Sequence, residues 1–135
     1  MTNPIKYFFT PKGVALIGAS SNPRKLSYGV LKNMTKLGFQ GKVYPVNPKR
    51  GEILGLKCYE DISKVPDPVE LAVIMIPAPY VPATIEACGR RGIRAVTIIS
   101  GGFKEVGEKG TALEDECVAI AKRYGMRLIG PNCVG

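Results

Sequence analysis

No histidine occurs anywhere in the 135 residues. That absence excludes a Ser-His-Asp or Cys-His catalytic pair, an imidazole metal site and a phosphohistidine carried by this chain. The four cysteines, Cys58, Cys88, Cys117 and Cys133, stand 30, 29 and 16 residues apart. None forms the C-x-x-C pair of a zinc or redox site, and they read as reduced thiols of a cytoplasmic protein. Long apolar runs are missing too. The longest, residues 71–83, is interrupted by Pro77, Pro79 and Pro82 and falls short of the roughly 20 residues that cross a membrane. Residues 5–9 are too short for the apolar region of a secretory leader, and no small-residue cleavage site follows an apolar stretch. A soluble, unexported chain is the expectation. Acidic residues are absent from positions 1–50, which hold nine lysines and arginines, whereas positions 51–135 hold ten against eleven acids. The net charge of +8 is therefore concentrated in the N-terminal third, where it points to an anionic partner.

What is present is enough hydrophobic sequence, 45%, for one core. Five short apolar runs recur at 14–19, 42–46, 71–76, 95–99 and 127–129. Their continuous apolarity marks strands covered on both faces. Between them lie helical patterns. One sets Val30, Leu31, Met34 and Leu37 on a stripe ending at Gly38; a second runs from Tyr80 to Arg91, ending near Gly89 and Gly92. A third opens with Thr111-Ala-Leu-Glu114, the spacing of a capping box, and ends at Gly125. Residues 52–68 predict a hairpin or extended piece and one helical turn. The alternation predicts an α/β fold: a Rossmann-like doubly wound parallel sheet of about five strands, one domain over 1–135.

Such sheets bind ligands beyond the carboxyl ends of their strands. The residues found there are Gly18-Ala-Ser-Ser-Asn-Pro23, Asn47-Pro-Lys49, Pro77-Ala-Pro79, Ser100-Gly-Gly102 and Gly130-Pro-Asn-Cys133. Singly, each also reads as an ordinary turn. Together on one edge they outline a site. The first places hydroxyls and backbone N–H groups at a helix start, beside Arg24 and Lys25, where phosphate is favoured. Ser20 occupies the second-glycine position of a dinucleotide fingerprint, which argues against that fingerprint. After the second strand, no acid is present to accept from a ribose hydroxyl. Lys49 and Arg50 suit a ribose phosphate instead, that of NADP or of coenzyme A. Pro77 and Pro79 read either as a stiff platform for a flat base or as a helix start. Cys133, without a histidine to activate it, reads as a small buried residue.

Val14-Ala-Leu-Ile-Gly-Ala-Ser-Ser-Asn-Pro23, Lys42-Val-Tyr-Pro-Val-Asn-Pro48, Ser100-Gly-Gly-Phe103 and Ile129-Gly-Pro-Asn-Cys133 resemble the CoA-binding domain of the NDP-forming acyl-CoA synthetases. The likeness is to the ADP-forming acetate–CoA ligases, relatives of the succinyl-CoA synthetase α-subunit. The resemblance runs from Tyr7 to the last residue. It implies coenzyme A as cofactor, with Gly18, Ser20 and Ser21 at the diphosphate and pantetheine arm, and Lys25 and Lys49 facing phosphates. It further implies Asn47, Pro48, Ile76, Pro77 and Ala78 around the adenine, and Ser100, Gly101, Asn132 and Cys133 towards the thiol. The family's reaction is acyl-CoA + ADP + phosphate ⇌ acid + ATP + CoA, run through a phosphohistidine domain and an ATP-grasp domain. This sequence contains neither, so no catalytic residue is assigned to it and such domains are its expected partners. Ending at Gly135, directly after a motif that leads onward in relatives, it is expected to be a domain of a longer ligase. A stand-alone CoA-binding or sensing module and an NADP-dependent oxidoreductase domain are the alternatives. Tyr7, Phe8 and Phe9 read as core or edge packing rather than a stacking platform, so neither nucleic acid nor membrane is an expected partner.

Overall fold

The computed structural model describes residues 6–36, 39–49, 51–99 and 107–130. The chain runs through a one-turn helix α1 (Lys6–Phe9), strand β1 (Gly13–Ile17), helix α2 (Leu26–Lys36) and strand β2 (Lys42–Val46). A hairpin follows, β3 (Gly51–Ile53) and β4 (Leu56–Cys58), then a 3-10 turn at Ile62–Lys64 and strand β5 (Leu71–Ile74). A second 3-10 turn, Ala78–Tyr80, leads into α3 (Val81–Arg91), followed by β6 (Ala95–Ile98), α4 (Glu108–Tyr124) and β7 (Arg127–Ile129).

Five strands form one parallel sheet in the order β2-β1-β5-β6-β7. The first strand, β1, lies inside the sheet beside the middle strand β5. The chain winds outward from it to β2, then crosses to β5 and winds the other way, so the switch point lies between β1 and β5. All five residues of β1 and all four of β5 are buried, as continuous apolarity requires when helices cover both faces. Alternate side chains divide between two cores. Ala15, Ile17, Ala72, Ile74, Val96 and Ile98 join α3 and α4 in one. Val14, Leu16, Leu71, Val73 and Ala95 join Leu31 of α2 and the hairpin's Ile53 in the other. The predicted stripe of α2 holds: Leu31 is fully buried, and Val30 and Met34 pack against the second core. Leu37 and Gly38 lie outside the described residues.

The hairpin appears where residues 52–68 predict one. It turns at Leu54 and Gly55, both at positive φ (52° and 80°), the conformation a tight two-residue turn between antiparallel strands needs. Gly92 and Gly125 take left-handed C-terminal positions after α3 and α4. Gly89 does not end its helix. A Cβ there would stand 2.4 Å from the ring of Tyr124, so its smallness serves the packing of α3 on α4.

Two expectations are corrected. The capping box at Thr111–Glu114 does not form, because α4 begins at Glu108, behind Gly107. Thr111 is already helical, and both its N–H and its hydroxyl donate to the Gly107 carbonyl, at 3.0 and 3.1 Å. The aromatic triplet divides: Tyr7 and Phe8 pack on the second core, but Phe9 is 80% exposed. They sit in α1, a helix of one turn too short to bury every side.

Gly29 offers a test of how α2 is built. A Cβ added there meets nothing within 4 Å, so Gly29→Ala should stabilise the protein by about 0.5–1 kcal/mol through helix propensity alone. Urea denaturation checks this, and a loss of stability would show that the site is not open.

Candidate functional site

The site begins where β1 ends. Gly18 turns the chain with φ 94°. Its N–H donates to the Val46 carbonyl (3.0 Å), and the Met75 N–H donates to the Ile17 carbonyl (2.8 Å). These bonds draw the ends of β1, β2 and β5 together at the switch point. The first two loops are then tied to each other by Asn47. Its Nδ2 donates to the Ala19 carbonyl (2.7 Å) while its Oδ1 accepts from the Lys49 N–H (2.8 Å). Both ends of the Asn47 amide are thereby engaged in positioning, with its own backbone N–H held by the Tyr59 carbonyl (2.8 Å).

The first loop is stiffened from within. Ser20 Oγ accepts from the Asn22 N–H, and Asn22 Oδ1 accepts from the Arg24 N–H, each at 3.0 Å. The Asn22 carbonyl accepts from the Lys25 N–H (3.0 Å). Three N–H groups of the loop are thus occupied, so an anion here is met by the Ser20 and Ser21 hydroxyls or by the helix start that follows. The first turn of α2 lies next in the chain, with leading N–H groups that lack intrahelical acceptors and Lys25 immediately before it.

Two hollows flank the ridge of Ile76 and Pro77. One, of about 470 Å³, is lined by Gly18, Pro48, Ile76, Pro77, Asp61 and Tyr80 among others. The other, about 270 Å³, is lined by Lys25, Leu26, Ser27, Met75 and Ile99 together with the ridge. The structure therefore brings Gly18, Pro48, Ile76 and Pro77 to one hollow and Lys25 to its neighbour. Ala78 is buried in the first core under the 3-10 turn, so its side chain faces away from both. Both readings of Pro77-Ala-Pro79 coexist: Pro77 lines the two hollows, and the 3-10 turn feeds α3. Ser20 is half-buried, while Ser21 and Lys49 are exposed; none of the three lines either hollow. Ser100, Gly101, Asn132 and Cys133 lie outside the described residues.

The positive charge of the N-terminal third is not gathered at this edge. Arg24, Lys25 and Lys49 stand there, but Lys12 and Lys42 stand at the starts of β1 and β2, at the opposite end of the sheet, and Lys32 and Lys36 lie along the second half of α2. Among the residues that line the larger hollow but were missed in the sequence are Glu60, Asp61, Tyr80 and Thr84. Tyr80 is 65% exposed, and Thr84 donates its hydroxyl to the Tyr80 carbonyl (2.9 Å). Asp61 caps the 3-10 turn, its Oδ1 accepting from the Ser63 N–H (2.8 Å) and hydroxyl. The hydroxyl bond, foremost, holds the Asp61 carboxyl below the usual carboxylate range. An Asx cap of this kind was legible as Asp-Ile-Ser ahead of a helical turn; its place beside Gly18 was not.

Cys58, Cys88 and Cys117 are free thiols buried in the two cores. Burial raises the pKa of all three, Cys88 to about 12 and Cys117 to about 11. They are packing residues. Among the described residues no cluster of acids and cysteines has the makings of a metal site, and no helix is long and apolar enough to cross a membrane.

An apolar hollow walled by prolines suits a base, and a helix start with an adjoining lysine suits phosphates. These residues fit a nucleotide-headed cofactor. Comparison with known proteins gives the same answer. A family model described as a CoA binding domain matches residues 12–135. The α-subunit of the ADP-forming acetate–CoA ligase II of Pyrococcus furiosus is 49% identical over 132 residues, covering 97% of this chain and 28% of the relative. A crystal structure of a Pyrococcus horikoshii OT3 protein superposes with a TM-score of 0.92 at 50% identity, covering 97% of this chain and 30% of the other. The apo dinucleotide-forming acetyl-coenzyme A synthetase 1 of Candidatus Korarchaeum cryptofilum gives 0.90 at 45% identity, with 95% and 28% covered. The chain thus spans less than a third of the length of these relatives. Coenzyme A, not NADP, is the cofactor that this match selects, and the chain belongs to the CoA-binding domain family.

Proposed function

We propose that this chain holds coenzyme A for an ADP-forming acyl-CoA ligase of the acetate–CoA type, in the reaction acyl-CoA + ADP + phosphate ⇌ acid + ATP + CoA. The observation that carries the reading is the juxtaposition at the switch point: an apolar hollow behind Gly18, Pro48, Ile76 and Pro77, beside the α2 start and Lys25. The base belongs in the hollow. The diphosphate and pantetheine arm belong along Gly18, Ser20 and Ser21, with Lys25 and Lys49 towards phosphates. Asn47 acts by fixing the loop that carries Pro48, and Ala78 by setting the height of the turn beneath the ridge. Ser100, Gly101, Asn132 and Cys133 are assigned to the thiol end. Coenzyme A supplies the thiol that accepts the acyl group. With no histidine in this chain, phosphoryl transfer falls to further domains or subunits, a phosphohistidine carrier and an ATP-grasp unit, acting in the cytoplasm.

Lys49 gives the test. It is exposed on the loop after β2, and only coenzyme A, not dephospho-CoA, carries the 3′-phosphate it would meet. A charge-assisted contact is worth about 1.5–3 kcal/mol. Lys49→Ala is therefore expected to weaken coenzyme A by roughly tenfold to a hundredfold in calorimetric titration, with dephospho-CoA nearly unchanged. Equal losses for both ligands would remove Lys49 from the site.

A further inference from the structure

The larger hollow has acids on its lining. Among the described residues Glu60 and Asp61 both line it, together with the Ile76–Pro77 ridge. Lys25 lines the other hollow, and Lys64 is near enough to Asp61 to favour its charged form. A carboxylate on the lining of an apolar hollow accepts hydrogen bonds; it suits a ligand portion that is flat, apolar on its faces and a donor at its edge. An adenine ring is such a portion, with its 6-amino group as the donor.

Asp61 is the better placed of the two acids. Ser63 holds its Oδ1 through two hydrogen bonds, so the carboxylate is fixed in orientation before any ligand arrives. Among the described residues its Oδ2 accepts nothing. The same two bonds keep the group ionised at neutral pH, and an ionised carboxylate is an acceptor only. A fixed acceptor-only group beside a base hollow discriminates by what the edge of the base presents.

We propose that Asp61 is a specificity-determining residue of the coenzyme A site, accepting a hydrogen bond from the 6-amino group of the adenine. This rests on the coenzyme A reading above and adds to it the reason the base is a 6-aminopurine. It also makes the 3-10 turn at Ile62–Lys64 part of the site, since that turn is what Asp61 caps.

The test is a cycle of two ligands and two proteins, run on the native protein that carries this chain. The ligands are coenzyme A and its 6-deamino analogue, in which purine replaces adenine and nothing bulkier is introduced. The proteins are wild type and Asp61→Asn. Asparagine caps a turn as well as aspartate does, so Ser63 keeps its acceptor while Oδ2 is replaced by an NH₂ donor. Wild type is expected to prefer coenzyme A by roughly tenfold or more, the value of a hydrogen bond to a charged group. In Asp61→Asn the ratio is expected to fall to about one or to reverse, because donor then faces donor. Glu60→Gln is expected to leave the wild-type ratio in place. An unchanged ratio in Asp61→Asn, or a collapse in Glu60→Gln instead, would overturn the assignment while leaving coenzyme A binding intact. Failure of wild type to bind coenzyme A at all would remove the cofactor reading and this one with it.

Discussion

Gly18→Ala is expected to cost about 2–5 kcal/mol of folding free energy, adding the strain of a positive φ to that of overpacking. A Cβ at this position would stand 2.2 Å from the Met75 carbonyl oxygen and 2.8 Å from its carbon. Neither is a flexible side-chain end that can swing away. Relief would require separating β1 from β5, and that separation breaks the bond from the Met75 N–H to the Ile17 carbonyl. The left-handed φ of 94° adds its own penalty for any residue with a side chain. Urea denaturation of the variant against wild type gives the number. A loss below 1 kcal/mol would mean that the strand ends are far more yielding than this geometry allows. Gly29→Ala, with an open site, provides the contrast: the same chemical change should have opposite signs at the two positions.

The second large effect is alkaline. Buried among Ile85, Ile93 and the first core, the Cys88 thiol has its pKa pushed up by burial from 9.0 to about 12. In the unfolded chain the thiol ionises near pH 9; in the folded protein it keeps its proton. The unfolded state therefore binds fewer protons between pH 9 and about 12, and stability falls as pH rises through that window. Below pH 9 the contribution is fully present. Each pH unit inside the window is worth at most about 1.4 kcal/mol, or roughly 4 kcal/mol across it. Cys88→Ala leaves a small cavity and lowers stability at neutral pH, so the informative quantity is the slope. Stability measured at pH 8 to 11 should decline more steeply in wild type than in Cys88→Ala. Parallel declines would show that some other group governs the alkaline loss.

The readable parts of the fold were those in which local pattern and final environment agree. Residues 14–17 appear as an unbroken apolar run because helices cover both faces of β1, and Gly125 reads as a helix end because a left-handed turn follows. Thr111 shows the opposite case. Its spacing to Glu114 satisfies a capping box, yet α4 starts at Glu108, because Gly107 at φ 90° already supplies the break in direction. Of the site, Gly18, Pro48, Ile76 and Pro77 were legible because strand ends on one edge of a doubly wound sheet must lie together. Asp61 was not. It reaches the hollow through the hairpin, whose return is fixed by the parallel bridge of Tyr59 to Val46, a pairing between distant segments that no local periodicity announces. Charge was the least faithful guide: of the described cations in the N-terminal third, Arg24, Lys25 and Lys49 stand at one end of the sheet, Lys12 and Lys42 at the other, and Lys32 and Lys36 along α2.

That bridge bears on how the molecule behaves in a crowded solution. β2 is an edge strand, and an edge with free backbone donors and acceptors is a template on which a second chain aggregates. Here Tyr59 occupies the outer side, its N–H on the Pro45 carbonyl and its own carbonyl on the Asn47 N–H, both at 2.8 Å. Pro45, whose carbonyl makes the first of these contacts, has no N–H to leave unpaired on that outer side. The residues that hold the second loop against the first thus also close this border of the sheet to strand addition, and a mutation that frees Tyr59 would be expected to show itself as lost solubility as well as lost affinity.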